Sequence, residues 1–235
     1  DQRSLDLYNL HALFDTVGAA GHLKQNGSPV LTESTLQAFS QAIRSLNGLR
    51  GGRSVSEVYD QYLSERARWL GLPMGDPVQR ALVRLCCLAR LSRKQERRCA
   101  ERAFSMLSEE DRITFAHELN LSGFREGPVI QVYYATALFA NLLKGVNPVG
   151  QSYSFEARFR IGLQILARVF REGRELIKQE QQGERVLITD ISALALSAIT
   201  SPYRLGFGAG DFYLVPVGKG ARAVLCDSSL TPKRN

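Results

Sequence analysis

Cysteine is scarce, and the four present are poorly placed for a framework. Cys86 and Cys87 are adjacent, Cys99 and Cys226 stand alone, and no pair has Cys-x-x-Cys spacing. That excludes a disulfide scaffold and a cysteine-based zinc site, and it predicts reduced thiols in a reducing intracellular compartment, most simply the cytoplasm. The chain begins at Asp1 with no basic stretch leading into an apolar one, so no secretory signal is expected. An initiator Met is missing as well, which is compatible with a targeting segment already removed.

Long apolar runs are also missing. The longest, Val129 to Leu143, is interrupted by Gln131, Thr136 and Asn141. Spanning a bilayer takes about 20 residues, so the reading is a buried helix in a soluble chain without a transmembrane segment. Histidine is limited to His11, His22 and His117. His117-Glu118 begins a zinc-protease pattern, but Leu121 stands where its second histidine belongs, and an ordinary surface histidine is expected. The chain has no Gly-x-Ser-x-Gly elbow, no Walker loop, no EF-hand loop and no strand–Gly-x-Gly-x-x-Gly–helix unit. The glycine-rich run Gly206-Phe207-Gly208-Ala209-Gly210 precedes a predicted strand, so it lacks the helix N-terminus that makes such a loop an anion site. The carboxylate groups Glu109/Glu110/Asp111 and Glu172/Glu175 are read as a helix start and as salt-bridge partners. No enzymatic activity, metal or cofactor is expected.

What is present is helical periodicity. The apolar residues of 4–14 (Leu5, Leu7, Tyr8, Leu10, Leu13, Phe14) recur at helical spacing, and a glycine-punctuated loop follows over 18–30. A second helix begins near Thr32 and ends in the Gly-rich run 48–52. Ser54-Val55-Ser56-Glu57 is a capping box opening a helix to about Leu70, and Asp76-Pro77 opens another. Residues 92–106 continue helical, and Ser108 starts a helix with carboxylates in its first turn. Gly127-Pro128 is read as the start of an apolar helix over 128–144, expected to be the most central element, with Val132, Ala135, Leu138, Phe139 and Leu142 in the core.

The longest helix is expected over 153–181. Phe155, Phe159, Gly162, Leu166, Val169, Gly173 and Leu176 repeat every three or four residues along it. Glycine costs about 1 kcal/mol against alanine in a helix, so two on one seam predict a neighbour packed unusually close. After Gly183 the pattern changes. Residues 185–188 read as a short strand, Thr189-Asp190 as a cap for a helix to Ile199, and 211–217 and 221–227 as a β-hairpin across Gly218-Lys219-Gly220. Residues 228–235 read as a tail. The fold class is therefore mainly α: a multi-helix, bundle-like domain over 1–183 with a small α+β extension, 184–235, packed on it and carrying a hairpin or short sheet.

Charge is the one uneven feature. The net charge of +7 comes from 30 basic residues, of which 24 are arginine, against 23 acidic ones. Between Arg80 and Arg102 eight basic residues face only Glu96 and Glu101. Read as one helix face, Arg90, Arg93 or Lys94, and Arg97 line up, with Arg98 at the edge. Together with Lys219 and Arg222 these are the candidate partner- or phosphate-binding residues. The functional expectation is a non-enzymatic helical interaction or scaffold protein that docks a macromolecular partner, another protein whose acidic surface would suit the stripe; the plainer reading of the stripe itself is a solvated helix face paired with carboxylates elsewhere, such as those at 109–111. The alternative is a basic nucleic-acid-binding protein, of nucleoprotein or replication-accessory type. With no aromatic between Trp69 and Phe104, nucleic acid would be held by its backbone and not read by sequence.

Overall fold

A computed structural model describes residues 2–18, 32–121, 128–144, 154–179, 186–192, 195, 212–217 and 222–227, the last two segments by their backbone. The fold is mainly α. Its described helices are α1 (Gln2–Gly18), α2 (Glu33–Leu46), α3 (Val55–Leu70), α4 (Pro77–Leu88), α5 (Lys94–Ser105), α6 (Glu109–Glu118), α7 (Ala135–Lys144) and α8 (Phe155–Gln179), with a 3-10 turn at Asn47–Gly51. Four strands accompany them: β1 (Val129–Tyr133), β2 (Val186–Asp190), β3 (Phe212–Val217) and β4 (Arg222–Asp227). The chain divides into two compact units, residues 1–72 and 73–235. No described helix is long and apolar enough to cross a membrane. Cys86, Cys87 and Cys99 form no disulfide.

Helix starts follow local chemistry. Thr32 Oγ1 accepts from the Thr35 amide at 3.2 Å and opens α2. Ser54 and Glu57 form the reciprocal capping box of α3: the Ser54 amide donates to Glu57 Oε2 at 2.7 Å, and Ser54 Oγ accepts from the Glu57 amide at 3.3 Å. Asp76 Oδ1 caps α4 through the Gln79 amide at 2.8 Å, with Pro77 at the first helical position. Ser108 caps α6 through the Asp111 amide at 3.1 Å.

In the first unit α2 and α3 pack together. The apolar residues of α1 do not form a single buried face. Leu5 and Leu13 are half-buried, whereas Leu7, Tyr8, Leu10 and Phe14 are exposed.

In the second unit the centre is α8, not the 128–144 segment. Phe159, Ile161, Leu163, Leu166, Ala167 and Val169 are all within 1% of full burial, and α8 packs on α5, α6, α7 and the sheet. The single helix expected over 128–144 is instead strand β1 followed by α7. Tyr134 takes a left-handed φ of 70° between them, which no helix accommodates. β1 is an edge strand in which only Ile130 is buried, and its five residues, apolar but for Gln131, are too short a run for periodicity to separate a strand from a further turn of the apolar helix after it. Of the core residues expected there, Ala135, Leu138, Phe139 and Leu142 are buried and Val132 is half-buried.

The sheet has the order β1-β2-β4-β3. β1 pairs parallel with β2 from Val129↔Val186 to Tyr133↔Asp190. β2 pairs parallel with β4 from Ile188↔Arg222 to Asp190↔Val224, and β3 closes the edge antiparallel to β4. The expected hairpin is therefore present and joins the 186–190 strand. Its pairing closes at Val217↔Arg222, so four residues, not three, separate the paired strands. Pro216 lies in the edge strand, where a missing ladder donor is tolerated. The sheet brings together strands on both sides of residue 183. Thr189 and Asp190 belong to β2, and Asp190 Oδ1 accepts from the Ser192 amide at 2.8 Å, capping the turn that follows. Gly18 closes α1 instead of opening the loop expected over 18–30; residues 19–30 of that expected loop, the expected helix beyond residue 195, the 206–210 run and the expected tail over 228–235 lie outside the described residues.

Both seam glycines of α8 meet close neighbours. A Cβ on Gly162 would stand 2.7 Å from Phe139 Cε1 and 3.1 Å from Leu142 Cδ1, both on α7. A Cβ on Gly173 would stand 3.0 Å from Ile130 Cδ1 and 3.4 Å from Leu187 Cδ2, on β1 and β2. One glycine thus admits a helix and the other a sheet.

Candidate functional site: the basic face of α5 and the cleft between α6 and α8

The basic segment is not one continuous helix. Helix α4 ends at Leu88, and α5 begins at Lys94. Between them Arg90 takes a left-handed φ of 55°, its amide bonded to the Cys87 carbonyl at 3.0 Å and the Leu91 amide to the Cys86 carbonyl at 2.9 Å. This is the Schellman termination, whose left-handed position normally holds glycine. Arg90 therefore does not share a helix face with Arg93 and Arg97, as the continuous-helix reading expected. The first turn of α5 is closed by Glu96, whose Oε2 accepts from the Ser92 and Arg93 amides at 3.3 and 3.1 Å.

Within α5, Ala100, Ala103 and Phe104 are buried, so the outward face carries Lys94, Arg98 and Arg102 at four-residue intervals. Arg97 is turned away from that line: its side chain is 14% exposed and its Nε lies 3.6 Å from Glu101 Oε2. Arg90, Arg93, Lys94 and Arg98 are exposed. Arg102, also exposed, donates from Nε to Glu156 Oε2 at 2.6 Å, a hydrogen bond that holds its pKa above the ordinary arginine value. Lys219 and the side chain of Arg222 lie outside the described residues.

The carboxylates at 109–111 do not cover this face. They turn toward α8, where Arg171 pairs with Asp111 and lies 3.8 Å from Glu110. Arg168 pairs with Glu172 and Lys178 with Glu175, each at 2.6 Å, within α8 itself. The basic residues of α8 from Arg168 to Lys178 are thus matched by carboxylates.

Next to these pairs α6 and α8 bound an open cleft of about 1030 Å³ that the sequence alone does not reveal. Its most buried feature is the pair Glu118–Arg174. The Glu118 side chain is 4% exposed and takes two hydrogen bonds from the Arg174 fork, Nε to Oε1 at 2.9 Å and Nη2 to Oε2 at 2.6 Å. Arg174 Nη1 also donates to the Pro128 carbonyl at 3.0 Å. His117 Nδ1 lies 3.0 Å from Glu118 Oε1. A carboxylate oxygen only accepts, so Nδ1 donates. Ile113 and Leu176 supply apolar lining. The only sequence signal for the cleft is charge complementarity between helices: Asp111 and Glu118 recur two turns apart on α6, and Arg171 and Arg174 recur one turn apart on α8.

No curated protein and no solved structure matches the chain. A family model does match, over residues 1–202, which takes in α1 to α8, β1 and β2 and stops before β3 and β4. By that match the chain belongs to a family of unknown function, DUF6829.

Proposed function

We propose that this protein is a non-enzymatic helical docking protein, and that the outward face of α5 with the α4–α5 corner receives an acidic protein segment. The observation that carries this reading is Arg90. A large charged residue occupies a left-handed position at a cost of about 1 kcal/mol relative to glycine, and it does so beside Arg93 at the head of a line of exposed cations. Strain kept at an exposed charged residue is the mark of a position selected for contact and not for stability.

The spacing supports an acidic helix as the partner. Four residues of helix rise about 6 Å, so Lys94 and Arg98 match carboxylates placed four residues apart on a facing helix, while Arg102 is held by Glu156. Attraction of this kind chiefly steers encounter and sets orientation. Nucleic acid is the competing ligand for the same charges, and the test separates the two.

The full chain, purified with nuclease treatment, is titrated by fluorescence anisotropy with a labelled helical peptide bearing glutamates at four-residue spacing. A single-stranded oligonucleotide and a duplex are titrated in parallel across a salt series. The expected result is saturable peptide binding that weakens with salt and is reduced at least fivefold in Lys94→Gln/Arg98→Gln, while circular dichroism and melting temperature are retained. Tighter binding of either nucleic acid, lost in the same variant, would replace this reading with the nucleic-acid one. Absence of binding by all three probes at low salt would remove the docking role of this face.

A further inference from the structure

We infer that the outer edge of β1 is an interface with a second copy of this chain, the two β1 strands pairing antiparallel across a twofold axis at Gln131. Among the described strands β1 lies at an edge of the sheet and is bonded on one side only, to β2. The Ile191 amide donates to the Tyr133 carbonyl at 3.3 Å, so that carbonyl faces β2. Backbone groups alternate sides along a strand. Val129, Gln131 and Tyr133 therefore bond toward β2, and the amides and carbonyls of Ile130 and Val132 point away from it. Among the described residues no backbone group bonds to Ile130 or Val132 on that outer side.

An edge left open is a template for another strand, and proteins blunt such edges with a charge, a proline or a bulge. The opposite edge, β3, carries Pro216. β1 reads Val-Ile-Gln-Val-Tyr, with neither a charge nor a proline, and its β-branched residues favour pairing. The strand is bounded at both ends. Before it, the Pro128 carbonyl is taken by Arg174 at 3.0 Å, and after it Tyr134 turns out of the strand at φ 70°. When two copies of this window pair antiparallel over its whole length, Gln131 stands opposite Gln131.

That register is self-complementary. Ile130 and Val132 of one copy exchange both ladder bonds with Val132 and Ile130 of the second, which satisfies the outward groups. Gln131 meets its own copy in a non-hydrogen-bonded pair, where side chains stand closest, and no charge faces a like charge. Tyr133, 53% exposed, lies across from Val129 of the second copy, an aromatic–β-branched pair of the kind that stabilises sheets. Ile130, whose side chain reaches Gly173 on α8, continues one buried layer across the junction. An unrelated extended segment would add to this edge whatever stood at residue 131, whereas the twofold sets that residue beside itself, and the test turns on this difference.

The full chain is followed by sedimentation velocity from about 5 μM to about 0.5 mM, a range suited to an interface below the standard size. The native protein is expected to show a reversible monomer–dimer equilibrium. Gln131 is exposed, so Gln131→Lys should keep the melting temperature of the dilute protein. It should weaken association about tenfold, because like charges then face each other across the axis. Gln131→Glu should do the same by itself. An equimolar mixture of the two variants should associate at least as tightly as the native protein, because the axis then pairs opposite charges. A native chain that stays monomeric over the whole range would overturn the inference. So would a dimer indifferent to both single changes, or one weakened by both and not recovered in the mixture.

Discussion

Arg90 ends α4 in the conformation in which Gly71 ends α3. Gly71 has φ 67° and Arg90 has φ 55°. The hydrogen bonds match as well: Leu72 to Ala67 and Gly71 to Arg68 in one case, Leu91 to Cys86 and Arg90 to Cys87 in the other. The same helix stop is thus built once from the residue that suits it and once from a residue that does not.

Replacing Arg90 by glycine should therefore stabilise the protein. The gain is about 1 kcal/mol, from relief of the left-handed conformation less the added backbone entropy of glycine. In a chain of this size that raises the melting temperature by about 2–4 °C. If the basic corner docks an acidic segment, the same variant binds the glutamate peptide more weakly. A more stable protein with unchanged peptide affinity would leave Arg90 without a docking role, and a less stable one would contradict the strain argument.

The Glu118–Arg174 pair makes a different prediction, because both groups are largely out of water. Arg174→Met leaves a buried carboxylate with only His117 beside it, and Glu118→Leu leaves the guanidinium with only the Pro128 carbonyl. Each single change should cost about 3 kcal/mol, near the low end for breaking a buried pair since Arg174 is 19% exposed. The double variant Glu118→Leu/Arg174→Met should recover more than half of the summed loss, because it buries no unpaired charge. Urea denaturation of the four proteins gives the cycle, and strictly additive losses would show that the pair is not a unit.

Glu57 carries a pH dependence. The Ser54 amide, and then the Ser54 hydroxyl, donate to its carboxylate and hold its pKa below the ordinary glutamate value. A carboxyl whose pKa is lowered by folding contributes stability above its unfolded pKa and loses that contribution as pH falls through the folded one. Amide exchange in the first turn of α3 should thus accelerate as pH is lowered through that window, after correction for intrinsic rates. In Glu57→Gln the corrected rates should show no such step.

The parts of this fold legible in the sequence are those decided within a few residues. Ser54 with Glu57, Asp76 with Pro77, and Ser108 before its carboxylates announce helix starts because cap and capped amides are neighbours in the chain. The α8 glycines were legible for a related reason: their cost is local, so their presence on one seam implied a distant compensation. Strand β1 was not legible, since its partner β2 lies far along the chain and a five-residue, mostly apolar run cannot be told by periodicity from the apolar α7 that follows it. The break at Arg90 was hidden because an arginine stands where a glycine would have marked the turn. The α6–α8 cleft depends on pairs such as Arg174 with Glu118, which only the fold brings together.

Gly162 gives the sharpest stability test of the packing. On an exposed helix face Gly→Ala would stabilise by about 1 kcal/mol through backbone entropy. Here the new methyl would meet the Phe139 ring at 2.7 Å, and Phe139 is itself fully buried against Phe159, with ring centroids 5.3 Å apart. The ring cannot withdraw without moving that neighbour, and overpacking of this kind costs about 1–3 kcal/mol. Gly162→Ala should therefore lower stability by about 1 kcal/mol or more after the helix gain is counted. Phe139→Leu removes the obstructing ring edge, so in that background Gly162→Ala should become neutral or stabilising even though Phe139→Leu alone is costly. Gly173→Ala meets the tip of the Ile130 side chain at 3.0 Å, a more yielding neighbour, and should be the milder change. Thermal denaturation of the four variants measures all of this, and a rise in melting temperature for Gly162→Ala alone would show that α7 and α8 are not in close contact there.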